Sequence, residues 1–139
     1  METFILDDDI KVFYVTAAAF PEGISDAHTR LHQLVPFSTD RKYFGISRPE
    51  NNGTIVYRAA TEEKSEGEAE KYHCDSLILK KGKYISVTLK DFRKDPRCIE
   101  KAFQELLTTP DLDPRGYCME WYANDKEEVK CMIRIKNVY

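Results

Sequence analysis

The chain has 139 residues, 42% hydrophobic and 32% charged, with a net charge of −3. This is enough for one ordinary globular core, and it excludes wholesale disorder. The acidic balance argues against a surface built to neutralise nucleic-acid phosphates. No apolar run reaches the roughly 18–20 residues of a membrane helix, and Met1–Asp9 has the character of neither a signal nor a transit peptide.

In chain order, residues 10–20 are β-branched and aromatic and read as a strand, broken at Pro21-Glu-Gly23. Ile24, Ala27, Leu31, Leu34 and Val35 then recur at helical spacing, ending near Pro36. Lys42–Arg48 and Thr54–Ala60 are short strands around a turn at Pro49–Gly53, whose Asn-Gly is a hairpin signal. Residues 61–71 hold no large apolar side chain and read as a solvated acidic loop between two halves. Leu77–Leu79 and Tyr84–Lys90 open the second half as strands. Asp95-Pro96 is a helix start, with Ile99, Ala102, Phe103, Leu106 and Leu107 as the apolar stripe. Tyr117–Tyr122 and Glu128–Lys136 are the last two strands, joined through Ala123–Glu127.

The four cysteines, Cys74, Cys98, Cys118 and Cys131, form no Cys-x-x-Cys pair and are expected as reduced thiols in the cytoplasm. His28 and His32 lie four apart on a helix without the clustered second ligand pair of a metal site. No metal and no cofactor are expected.

The two halves repeat. Lys11–Thr16 lies over Lys83–Thr88 at an offset of 72, and Phe20 meets Phe92, Ala27 meets Ile99 and Leu31 meets Phe103 at the same offset. At offset 74 Tyr43 meets Tyr117, Ile55 meets Val129 and Ile46 meets Glu120. The expected fold is α+β. It has tandem duplicated βαββ units, about residues 8–60 and 77–137, forming antiparallel sheets with two helices on one side and a concave ligand groove on the other.

Strand alternation then sorts side chains. With Ile85, Val87 and Leu89 under the helices, Tyr84, Ser86 and Thr88 face the groove, and Val12, Tyr14 and Thr16 share that side. Glu120 is an acid set among aromatic and sulfur-bearing neighbours, in Tyr117-Cys-Met-Glu-Trp-Tyr122. A carboxylate in an aromatic-lined groove suits an organic cation, through charge pairing and ring-face attraction together. An exposed strand residue beside Arg or Lys is the plainer alternative. Tyr122, Trp121, Tyr84, Tyr14, Phe44 and Met132 complete the candidate ligand-binding set. Arg58 falls on the same side, where it serves equally to neutralise an acid. Phe13, Phe20, Phe92 and Phe103 are assigned to the core.

In this ordered combination, with the kinked entry Leu79-Lys-Lys-Gly-Lys-Tyr84 and the closing Val129–Ile135 strand, the chain resembles the GyrI-like small-molecule-binding domain. That domain is the effector-binding part of bacterial multidrug-responsive MerR-type and AraC-type transcription regulators. The resemblance covers about residues 8–137 as a single domain. It implies a pocket glutamate on the second-to-last strand, matched by Glu120, with aromatic side chains around it. Ala17-Ala-Ala19 departs from the polar or glycine-containing turn that is frequent in the family. The expectation is a stand-alone member, with no room for a helix-turn-helix unit, no direct nucleic-acid contact and no membrane contact. It would be a monomer or homodimer that binds a small molecule and acts on transcription only through a protein partner.

Three functions follow from these readings. The first is a non-catalytic sensor or sequestering protein for an amphipathic or cationic aromatic ligand. The second is a small-molecule hydrolase, as described for some stand-alone family members, with Glu120 as acid or base. The third is a gyrase-inhibitor-like protein-binding role carried by the acidic segment Glu62–Glu70.

Overall fold

Side-chain alternation and register fix the architecture in the computed structural model, which describes residues 1–50, 53–95, 97–123 and 127–136. The strands are β1 (Glu2–Leu6), β2 (Ile10–Thr16), β3 (Tyr43–Glu50), β4 (Thr54–Glu62), β5 (Asp75–Leu79), β6 (Gly82–Lys90), β7 (Cys118–Tyr122) and β8 (Glu128–Arg134). The helices are α1 (Ile24–Leu34), α2 (Glu68–Lys71) and α3 (Cys98–Leu106), with a 3-10 turn at Phe92–Lys94. The protein is α+β, and its strands form one continuous antiparallel sheet in the order β1-β6-β8-β7-β3-β4-β2-β5.

This order reads the same from either end when β1 to β4 are exchanged with β5 to β8. The rungs Val12↔Glu62 and Tyr84↔Arg134 correspond, each residue of the second lying 72 after its counterpart. The rungs Gly45↔Ala59 and Glu120↔Cys131 correspond as well. The exchange axis therefore passes through the pair Gly45↔Glu120, which face each other across β3 and β7. Glu120 answers to Gly45, not to Ile46, which sits opposite Met119.

The sheet has two different faces. Phe13, Ala59 and their neighbours pack under α1 with Ala27, Leu31 and Val35. Val129, Cys131 and Ile133 pack under α3 with Ala102 and Leu106. The opposite face is closed. Phe4 of β1 reaches Trp121 of β7, ring centroids 5.9 Å apart, across the intervening β6 and β8. Strands this far apart in a flat sheet lie about 14 Å from each other, so the sheet curls onto its helix-free face. Val12, Phe44, Ile46, Tyr84, Met119 and Met132 are buried there as a third cluster.

The strand β1 was not anticipated, and it helps to fill the face expected to be a groove. The acidic stretch 61–71 is also more ordered than its composition implies. Thr61 and Glu62 end β4, and Ala69 is buried against the α1 cluster. Arg41 grips Glu68 with two hydrogen bonds of 3.0 and 2.9 Å, and the Glu68 carboxyl is held down to about 2, with that Arg41 contact as the main cause. The strand read over 10–20 stops at Thr16. The helix expected from Asp95-Pro96 is α3, which starts at Cys98, whose N–H bonds the Asp95 carbonyl, while Pro96 lies outside the described residues. So do Asn51 and Asn52 of the expected hairpin turn, which Gly53 completes at φ +82. Residues 124–126 of the last turn lie outside as well.

Candidate functional site

The site is built at the centre of the sheet, on the face that carries the helices. Gly45 pairs with Ala59 on one side and Glu120 on the other, so two small residues lie beside the acid. The ring of Tyr57 leans into this space. A Cβ at Gly45 would come within 2.1 Å of the Tyr57 hydroxyl and 2.6 Å of Glu120 Oε1. Glycine is needed here for room, because its side-chain volume is taken by the Tyr57–Glu120 contact.

Tyr57 donates its hydroxyl proton to Glu120 Oε1 at 3.0 Å, and Tyr122 donates to the same oxygen. With its proton committed, the Tyr57 oxygen accepts from His28 Nε2 at 2.8 Å. The inward stripe of α1 thus runs Ala27, His28 and Leu31, continued by Val35 just past its end, while Leu34 is 45% exposed. A hydrogen-bonded chain, His28–Tyr57–Glu120–Tyr122, joins α1, β4 and β7.

Glu120 keeps only 7% of its surface. Burial pushes its carboxyl above the ordinary value, opposed by the two tyrosine hydrogen bonds. Burial likewise lowers His28 to about 4 and raises both tyrosines, so His28 is neutral at physiological pH. Glu50, Glu62, Glu63, Glu68 and Asp113 each have an Arg or Lys partner. Glu120 has none among the described residues, and its Oε2 has no hydrogen-bond partner there.

A cleft of about 740 Å³ opens beside the two ends of this chain, His28 and Tyr122, while Tyr57 and Glu120 lie behind its lining. Its aromatic walls include His28, Phe37, Tyr43, Phe92 and Tyr122, and the charged residues Arg93 and Glu127 also line it. Phe92 lies 5.8 Å and His28 5.6 Å from the Tyr122 ring. The volume falls within the range of about 300–1,000 Å³ common for small-molecule sites.

Of the seven residues expected to line a groove, the structure brings Glu120 and Tyr122 together. Tyr84, Tyr14, Phe44, Met132 and Trp121 sit on the other face, in or against the third core cluster. Glu120 and Tyr122 were expected on the same side as Tyr84, Tyr14 and Phe44, but the register puts those two on the helix-bearing face, and the curl of the sheet turns the other face inward. Arg58 bonds Glu50 at 2.5 and 3.0 Å and lies over the Tyr14 ring, which is the neutralising role. Phe20, assigned to the core, instead borders a hollow and is 39% exposed, while Phe92 packs against the α3 cluster as expected and also lines the cleft. Gly45, Tyr57 and His28 went unrecognised. Their partners are 63 and 29 residues away in the chain for the Tyr57–Glu120 and His28–Tyr57 bonds. The available signal was a glycine inside a strand, which marks a close approach. Four free thiols are present, as expected, and no metal-binding group of His, Cys, Asp and Glu occurs among the described residues. No helix among the described residues is long and apolar enough to cross a membrane.

This curled antiparallel sheet with helices on one face is a known fold. The sequence matches no protein-family model and no curated protein. Solved structures do match over nearly the whole chain. SAV2435 bound to tetraphenylphosphonium superposes with a TM-score of 0.72 at 14% identity, covering 99% of this chain and 95% of that one. An integron cassette protein from the mobile metagenome of Vibrio cholerae gives 0.67 at 11% identity, covering 97% and 95%. A putative bacterial transcription regulation protein from Staphylococcus aureus MU50 gives 0.61 at 11%, covering 98% and 97%. A hydrolase from Listeria innocua gives 0.54 at 8%, covering 97% and 90%. At these identities the likeness establishes the fold.

Proposed function

We propose that this protein binds amphipathic, aromatic organic cations in the cleft between α1 and the Phe92–α3 segment, with Glu120 as the counter-charge. The observation that carries the reading is a buried carboxylate with no Arg or Lys partner among the described residues, hydrogen-bonded to Tyr122, which lines an aromatic-walled cleft. An isolated buried carboxylate is unfavourable, and a bound cation restores its charged form. Ring faces of Tyr122 and Phe92 add cation–π attraction of about 0.5–2 kcal/mol each. The fold-mate that holds tetraphenylphosphonium, an aromatic cation, supports this reading.

The same reading makes the chain a GyrI-like domain built from two tandem βαββ units, supported by the exchange-symmetric strand order. It is a cytoplasmic, non-enzymatic sensor or sequestering protein that needs no cofactor and reaches transcription through a protein partner. Calorimetric titration with tetraphenylphosphonium tests it. Wild type binds saturably, and Glu120→Gln weakens binding tenfold or more. Equal affinity in the two proteins, or no binding to wild type, overturns it.

A hydrolytic role is favoured by one feature, the continuous His28–Tyr57–Glu120–Tyr122 chain. A carboxyl with a raised pKa, one hydrogen bond from the cleft-lining Tyr122, suits proton transfer to or from water. Steady product formation from neutral electrophiles, lost in Glu120→Gln, selects that role; saturable binding without product selects the first. The protein-docking alternative has the least support, since Glu63 and Glu68 are engaged by Lys11 and Arg41.

A further inference from the structure

The hydrogen-bonded chain reaches the cleft at its two ends, and the ends offer different chemistry. At one end the Tyr122 hydroxyl donates to Glu120, so the cleft meets the ring of Tyr122. At the other end His28 lines the cleft while its Nε2 is bound to Tyr57 at 2.8 Å. The second ring nitrogen of His28, Nδ1, has no hydrogen-bond partner among the described residues and is not sealed from solvent.

The direction of the chain fixes what Nδ1 can do. An ionised carboxylate accepts hydrogen bonds and donates none, so both tyrosines donate to Glu120 Oε1. Tyr57 has then committed its one proton, and its oxygen can only accept. His28 must therefore carry its proton on Nε2. A neutral imidazole has a single N–H, so Nδ1 is left with a lone pair. Burial keeps the ring neutral, with His28 lowered to about 4. When Glu120 is ionised, the cleft thus meets an acceptor at His28. The rest of the α1 wall agrees. Ser25, Thr29 and His32 line the cleft beside His28, at the three- and four-residue spacing of one helix face. Burial lowers His32 too, so these four side chains carry no positive charge at neutral pH, and each can accept a hydrogen bond. Arg93, a cation in the lining, belongs instead to the Phe92–Lys94 turn and lies over the Phe92 ring.

Building on the cation-binding reading, we infer that the cleft selects aromatic cations that carry an N–H group, and that His28 Nδ1 accepts the hydrogen bond from it. The ligand class is protonated aromatic amines and amidines, favoured over quaternary ions of the same shape and charge. His28 is then a specificity residue. The ionised acid orders the Tyr57 hydroxyl, Tyr57 orders the imidazole, and the imidazole tells an N–H donor from a methylated nitrogen. A quaternary ion meets the same rings and the same charge but leaves Nδ1 unbonded.

The test pair is dibenzylammonium and dibenzyldimethylammonium, which share rings and charge and differ in their N–H donors. Both are titrated calorimetrically into wild type and His28→Leu at neutral pH. Wild type binds the N–H ion roughly tenfold more tightly, the worth of one charge-assisted hydrogen bond. In His28→Leu the two ions bind within about twofold of each other. Nitrogen NMR of wild type gives a second readout, which stands even if His28→Leu fails to fold. In the complex His28 carries its proton on Nε2, and its Nδ1 signal moves with dibenzylammonium but not with the dimethyl ion. Equal affinities in wild type, a preference that persists in His28→Leu, or a proton on Nδ1 in the complex overturns the inference while leaving the cation reading intact. Binding of neither ion to wild type overturns both.

Discussion

Gly45→Ala is the smallest change that should disable the site. The added methyl carbon would lie 2.1 Å from Tyr57 Oη, 2.8 Å from Tyr57 Cζ and 2.6 Å from Glu120 Oε1. Contacts below 3 Å are not tolerated, so the tyrosine ring must swing away and the Tyr57–Glu120 hydrogen bond opens. Overpacking a buried position costs about 1–3 kcal/mol. Losing a hydrogen bond to a charged acceptor adds about 1.5 kcal/mol or more. Together these give about 2.5–4.5 kcal/mol, or roughly 10–18 °C in Tm for a domain of this length. Thermal unfolding measures the stability, and titration with a lipophilic cation measures the site. In a Tyr57→Phe background the closest contact is gone, so the alanine should cost less there, a coupling visible in a double-mutant cycle. A Gly45→Ala protein with Tm within 2 °C of wild type and unchanged cation affinity would refute the packing argument.

Other outcomes follow from the buried groups. Because burial raises the Glu120 carboxyl, a bound cation must drive off its proton below that value. Affinity should therefore rise with pH, up to about tenfold per unit, and level off above it. Calorimetry in buffers of different ionisation enthalpy should detect the released proton, and a flat profile contradicts it. His28 is depressed to about 4 from an ordinary 6.5, so its contribution is present above pH 6.5 and lost as pH falls through 4. That loss amounts to at most roughly 3 kcal/mol. In urea unfolding, His28→Gln should flatten this part of the acid profile; parallel profiles rule it out. Glu68→Ala should cost about 1–2 kcal/mol and raise hydrogen exchange in 64–71, since Glu68 accepts from Arg41 and from the Lys64 and Ser65 amides. Unchanged exchange there would mean the acidic segment is held by something else.

The buried acid at the centre of the candidate site was legible because local context betrays it. Glu120 sits within a strand whose other members are aromatic or sulfur-bearing. Helix stripes and strand alternation were equally local, so most elements and the two-faced sorting of β6 were readable. What failed was long-range. Tyr57, Gly45 and His28 meet Glu120 only through the register of three strands and one helix. The offset of 74 between β3 and β7 put Ile46 where Gly45 belongs, and one residue of slip reverses a strand's faces. The choice of open face failed for a related reason. Helices were assumed to seal the side they cover. Instead the curl of the sheet, with Phe4 against Trp121, seals the helix-free side and leaves the gap between helices open.

Tetraphenylphosphonium and tetraphenylborate have nearly the same shape and opposite charge, so comparing them isolates the role of Glu120. The phosphonium should bind wild type at least tenfold more tightly than the borate, and Glu120→Gln should largely erase that preference. Equal affinity of the two ions for wild type, or a preference that survives the substitution, would contradict a buried glutamate as the counter-charge of the site.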